Sequence, residues 1–158
     1  MSPETGPVES GDSPINGAIA AHLEISSRYV NIEVAERALV DCFERAGLSG
    51  DDSDAPVNAL REAVANAIRH GNREEAHRRV VVDLGIRDGE VSIRVEDEGE
   101  GFDVDAVPDP TAPENLLRPS GRGIFYMRQF MNRVEYSRAP GGGTVVTMSR
   151  RLDPETRS

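Results

Sequence analysis

The chain has 158 residues, of which 28 are acidic and 18 basic, for a net charge of −10; this fits one domain with an ordinary core and excludes a multi-domain machine. All 18 basic residues are arginine, which rules out the lysine-dependent designs: a Walker A loop, a pyridoxal Schiff base and the eukaryotic-type protein kinase site. An acidic chain with no visible basic patch also sets direct nucleic-acid binding aside.

Residues 1–19 carry Glu4, Glu9 and Asp12, no basic residue and no apolar period, which predicts a flexible acidic tail; residues 20–152 form the folded domain, and 153–158 a short C-terminal tail. The stretch 22–26 reads as an edge strand. Val34, Ala35, Ala38, Leu39, Cys42, Phe43 and Ala46 then recur at helical spacing until Gly47 stops them. A polar loop over 49–54 leads to Pro56 in the first turn of a second helix, whose stripe is Val57, Leu60, Val64, Ala67 and Ile68 and whose end is Gly71. Alternation follows in Val82, Leu84 and Ile86, turns at Asp88-Gly89, and resumes in Val91, Ile93 and Val95 as the second strand of a hairpin. Residues 103–120 include Pro108, Pro110, Pro113 and Pro119 and no period, a length that is usually functional. Ser120 suits the N-cap of a third helix over 121–131, with Ile124, Met127, Phe130 and Met131 inward. Strands over 134–136 and 144–148 flank Gly141-Gly142-Gly143 as a last hairpin. This order predicts an α+β fold, with helices packed on one face of a mostly antiparallel sheet.

Cys42 is the only cysteine, and His22, His70 and His77 supply no zinc spacing. No apolar run approaches the ~20 residues of a membrane span, and the N-terminus lacks signal-peptide character, so the reading is a soluble cytoplasmic protein with no membrane partner.

Four groups of residues could carry chemistry. Glu62 and Asn66 are four apart on the second helix and share a face nearly opposite the Leu60, Val64, Ile68 stripe. A solvated helix face is the plainer account, but asparagine is a poor mid-helix residue and Ala63, Ala65 and Ala67 leave room beside it. Asp97 continues the inward series Val91, Ile93, Val95, so its carboxylate needs a donor. Gly99 and Gly101 follow it, and such glycines suit close approach of a flat ligand, positive φ or an ordinary strand-ending turn. Gly121-Arg122-Gly123 at the start of the third helix could present amides to a phosphate, with Arg118 and Arg122 adding charge, or form only a cap. Thr144 is in phase with Val146 and Met148, so its hydroxyl faces inward. His70 and Asn72 read most simply as helix C-cap residues.

Taken together, E-A-V-A-N-A-I-R-H-G-N over 62–72, D-E-G-E-G-F-D over 97–103, S-G-R-G-I-F-Y-M over 120–127 and G-G-T over 142–144 resemble the ATP-binding fold shared by DNA gyrase, the large heat-shock chaperone ATPases, histidine kinases and MutL. That is the GHKL superfamily, whose Bergerat-type fold is a two-layer sandwich. The chain is most similar to the anti-sigma-factor serine/threonine kinases of the RsbW and SpoIIAB type, over about residues 22–152.

This resemblance implies ATP and Mg²⁺ as cofactors. Glu62 would match the general base and Asn66 the metal-holding asparagine. Asp97 would accept the adenine amino group, with Thr144 supporting it. His70, Gly99, Gly101, Phe102, Ser120, Gly121, Arg122, Gly123 and Ile124 would complete the nucleotide site, with residues 103–120 as its lid. The partners implied are a STAS-type anti-anti-sigma protein that receives the phosphate and a sigma factor that is otherwise sequestered, commonly by a homodimer. Two other readings stand beside the kinase. One is a nucleotide-binding partner switch that sequesters its client with little or no phosphoryl transfer, and the other uses the acidic lid as a docking surface alone.

Overall fold

The computed structural model describes residues 19–48, 50–100 and 127–152. The alternating stretches become five strands, β1 (Ile19–Ser26), β2 (Arg79–Arg87), β3 (Glu90–Glu96), β4 (Arg133–Arg138) and β5 (Thr144–Arg151). They form one antiparallel sheet in the order β1-β2-β3-β5-β4. The expected edge strand is present, and it starts at Ile19, a residue the sequence assigned to the tail. Asp88 and Gly89 turn the β2–β3 hairpin with φ of 51° and 79°, the pair of positive values that matches the twist of the strands.

Period-2 geometry sorts the side chains onto two faces. Leu23, Val82, Val95 and Val146 lie in successive register across four strands, and so do Ala21, Leu84, Ile93 and Met148 on the first four strands of the sheet. All eight are buried and join the core. Two helices, α1 (Ile32–Arg45) and α2 (Gly50–Asn66), pack on each other and on this face. The result is the two-layer α+β sandwich expected.

Helix α1 buries Ala35, Ala38, Leu39, Cys42 and Phe43. Val34, expected in the same stripe, lies instead on the exposed side. The helix ends in a Schellman motif: Leu48 N–H donates to Phe43 O, Gly47 N–H donates to Glu44 O, and Gly47 takes φ +74°.

Helix α2 corrects the sequence reading. The stretch expected as a polar loop before Pro56 is already helical from Gly50, and Pro56 sits buried inside the helix. Asp51 and Asp52 in its first turn favour the positive end of the helix dipole, and the buried Ser53 hydroxyl is satisfied by Gly50 O at 2.7 Å. The missing proline N–H removes one intrahelical bond, and the apolar face of Pro56, Ala59, Leu60, Ala63 and Val64 offsets it.

Residues 127–130 are helical, Met127 and Met131 are buried, and Phe130 is partly buried against the core. The rest of the third helix, including Ile124, the Ser120 cap and the proline-rich loop, lies outside the described residues. On the opposite face of the sheet, Asp83 is 1% exposed and accepts a hydrogen bond from His22 Nδ1 at 2.6 Å. Arg94 approaches the other oxygen of Asp83 at 3.8 Å and pairs with Glu96 at 2.9 Å. Burial works against a charge on His22, but Asp83 and Glu24 outweigh it and hold the imidazolium above its usual pKa.

Candidate active site

Asp97 follows the last residue of β3 and keeps the inward phase of Val91, Ile93 and Val95, so the strand itself carries a carboxylate to the edge of the core; it is 6% exposed. Its backbone N–H donates to Thr144 O at 3.0 Å. Its Oδ1 accepts N–H bonds from Gly99 at 2.9 Å and Thr144 at 3.1 Å. The support that Thr144 gives is therefore from its main chain. Oδ2 has no hydrogen-bond partner among the described residues. Burial pushes the Asp97 carboxyl above the usual range, a shift opposed by the two N–H bonds.

Three glycines close around this carboxyl. A Cβ on Gly71 would lie 2.1 Å from Asp97 Oδ2, one on Gly99 2.0 Å from Gly71 O, and one on Gly143 2.0 Å from Asp97 O. Real Cβ contacts below 3.0 Å are essentially unknown. Gly99 thus owes its identity here to close packing; it does not take the positive φ found at Gly142. The sequence marks Gly71 only as a helix end and Gly143 only as part of a hairpin turn.

Glu62 and Asn66 stand one turn apart near the end of α2, each half-exposed while Ala63, Val64, Ala67 and Ile68 are buried, as their spacing predicts. Neither side chain has a hydrogen bond or ion pair among the described residues. After Asn66 the helix widens into a π turn over Ala67–Gly71, closed by Asn72 N–H donating to Ala67 O at 2.7 Å. Such turns re-aim side chains and recur at functional sites. Here the turn leaves His70 exposed and sets Gly71 against Asp97. One continuous segment therefore carries Glu62 and Asn66 and, at Gly71, abuts Asp97, which is bonded to Thr144.

The same segment contains a residue that sequence reasoning undervalued. Asn72 does cap the helix, but its side chain is fully buried and bonded to three other segments. The signal available in the sequence was only an asparagine after a glycine at a helix end. Gly101, Phe102, Ser120, Gly121, Arg122, Gly123 and Ile124 lie outside the described residues.

The donor set suits some groups and not others. Among the described residues no cluster of three or more His, Cys, Asp or Glu side chains could hold a metal alone. A hard cation that keeps most of its water and shares a ligand's phosphates needs only one or two protein oxygens, and the unengaged Asn66 carboxamide can supply one. Asp97 Oδ2 is an acceptor in a tight recess, suited to a planar N–H donor. No helix among the described residues is long and apolar enough to cross a membrane.

A family model described as a histidine kinase-like ATPase domain matches residues 25–150. The chain is 39% identical over 97 residues to the anti-sigma F factor of Oceanobacillus iheyensis; the match covers 59% of this chain and 65% of that protein, a little under two thirds of its length. It is 30% identical over 130 residues to the serine-protein kinase RsbW of Staphylococcus epidermidis, covering 78% of this chain and 80% of that one. A crystal structure of RsbU and RsbW domains from Mycobacterium tuberculosis shares the fold with a TM-score of 0.63 and 20% identity, over 87% of this chain and 34% of that chain.

Proposed function

This chain belongs to the histidine kinase-like ATPase family, in its RsbW-type anti-sigma branch, and from that premise we propose that it is an ATP- and Mg²⁺-dependent serine/threonine kinase. Its acceptor would be a hydroxyl on a STAS-type anti-anti-sigma partner, and its other client a sigma factor. The observation that carries this reading is the Asp97 carboxylate, with Oδ1 doubly bonded and Oδ2 open, joined through the end of α2 to the unengaged pair Glu62 and Asn66.

Asp97 Oδ2 would accept the 6-amino hydrogen of adenine, and the glycine cage would hold the carboxylate still while it does so. Asn66 would hold Mg²⁺ through its carbonyl oxygen. When bound, Mg²⁺ offsets the negative charge on the phosphates. Glu62, one turn earlier, would take the proton from the acceptor hydroxyl as that oxygen bonds to the γ-phosphorus and ADP departs with the electron pair of the broken bond. Such catalysis rests on positioning and a general base and needs no lysine, which accords with an arginine-only chain.

The test is phosphoryl transfer to a candidate STAS protein with ATP and Mg²⁺. Labelled phosphoprotein from wild type and its loss in Glu62→Ala are expected, with nucleotide affinity retained. Equal labelling by the two proteins would remove Glu62 as the base. Tight ATP binding with no labelling would select the partner-switch reading.

A further inference from the structure

We infer that Asn72 is a positioning residue for adenine recognition, acting through the 97–99 turn; this rests on the reading of Asp97 given above. Asn72 is 0% exposed. Its Nδ2 donates to Ser27 Oγ at 2.8 Å and to Arg79 O at 3.0 Å, and its Oδ1 accepts from Glu98 N–H at 2.8 Å. Ser27 Oγ in turn donates to Arg78 O at 2.8 Å. One carboxamide thus ties the region just past β1, the start of β2 and the residue after Asp97 to the end of α2.

A cap needs none of this, because the Asn72 backbone N–H already closes the π turn. The chain also accepts unfavourable backbone to keep Asn72 in place: Arg73 and Glu74, the next two residues, both take positive φ, 52° and 60°, which non-glycine residues seldom adopt. The two bonds on Asp97 Oδ1 come from Gly99 and Thr144, and neither anchors the turn to α2. Glu98 N–H to Asn72 Oδ1 does so directly, beside the contact of Gly71 with Oδ2. The direction of Oδ2 is therefore set from Asn72, and with it the discrimination of an amino group from a carbonyl at purine position 6.

Calorimetry with ADP and inosine diphosphate, both with Mg²⁺, on the full chain tests this, because inosine carries oxygen where adenine carries the amino group. Wild type should favour ADP, and in Asn72→Ala the ADP-to-IDP affinity ratio should fall about fivefold, the scale of one lost hydrogen bond. A merely structural role would lower the folded fraction and weaken both ligands alike, so an unchanged ratio in folded Asn72→Ala overturns the inference. If Asn72→Ala does not fold, Ser27→Ala decides: loosening one Nδ2 anchor should lower the ratio about twofold, and an unchanged ratio overturns it. Wild type that binds neither nucleotide, or shows no preference, refutes the adenine reading itself and is distinct from a wild type that discriminates as well as its Asn72 variant.

Discussion

Gly71→Ala probes the glycine cage most directly. The added Cβ would sit 2.1 Å from Asp97 Oδ2, 2.3 Å from its Cγ and 2.9 Å from its Cβ, whereas ordinary contact begins near 3.4 Å. The carboxyl has to move, and movement withdraws Oδ1 from the N–H groups of Gly99 and Thr144. Two buried donors left unpaired at ~1–3 kcal/mol each, with overpacking of ~1–3 kcal/mol, put the loss on the order of 3–9 kcal/mol. That is a large part of the ~5–15 kcal/mol that holds a domain together. Asp97→Ala by itself strands the same donors but removes Oδ2 and Cγ, leaving only the 2.9 Å contact for a later Cβ to meet. In that background Gly71→Ala should cost only ~1 kcal/mol more. Urea unfolding of the wild type, both single variants and the double variant, followed by circular dichroism, should give a coupling of at least ~2 kcal/mol. Costs that add within ~0.5 kcal/mol would refute the claim that the two residues contest one space.

Asp97→Asn separates binding from stability. Burial holds the Asp97 carboxyl above its usual range, so the folded state favours the neutral form and apo stability falls as pH rises past the ordinary carboxylate value. The neutral amide should therefore unfold at least as hard as wild type near pH 7, while adenine-nucleotide affinity drops roughly 10- to 150-fold, the worth of a charge-assisted bond; unchanged affinity would revive a purely structural role. His22 should give the opposite slope from a carboxylate held low. Its pKa is raised above 6.5 when folded by Asp83 and Glu24, so its contribution is complete below pH 6.5 and is lost as pH rises through the folded value. Thermal unfolding across that window should show the loss in wild type and a flatter profile in His22→Gln, and identical profiles would remove His22 as the cause. Cys42 is fully buried and its thiol is pushed up to about 11 by burial. A disulfide reagent at pH 8 should leave the native protein unmodified and label it promptly in denaturant; rapid native labelling would contradict the packing.

Periodicity carried the architecture because the apolar residues of β2 and β3 that join the core all point to one face, so the alternation survives in the letters from Val82 through Val95. The same phase places Asp97 inward, where it is buried. The start of α2 was hidden because Pro56 reads as an N-terminal marker, and only the packing of Ser53 and Pro56 against the core shows why the helix begins six residues sooner. Gly71 and Asn72 read in the sequence only as a helix end and its cap, and Gly143 only as part of a hairpin turn, for another reason. Their roles depend on which distant segments meet at Asp97, and neither period nor propensity encodes a contact between a helix end and a residue 26 positions away.

The π turn has a consequence for how this chain tolerates changes in length. From Ala67 to Gly71 the backbone closes with one residue more than an α-helical turn would take. Deleting one residue there would restore an unbroken helix and conserve composition almost entirely, yet every residue after the deletion would rotate by about 100° relative to Asn66. The outward pair would stay where it is, and the glycine beside the carboxylate would be replaced in space by a bulkier neighbour. Residue count in this turn is thus under tighter constraint than residue identity at exposed positions such as Arg69 and His70.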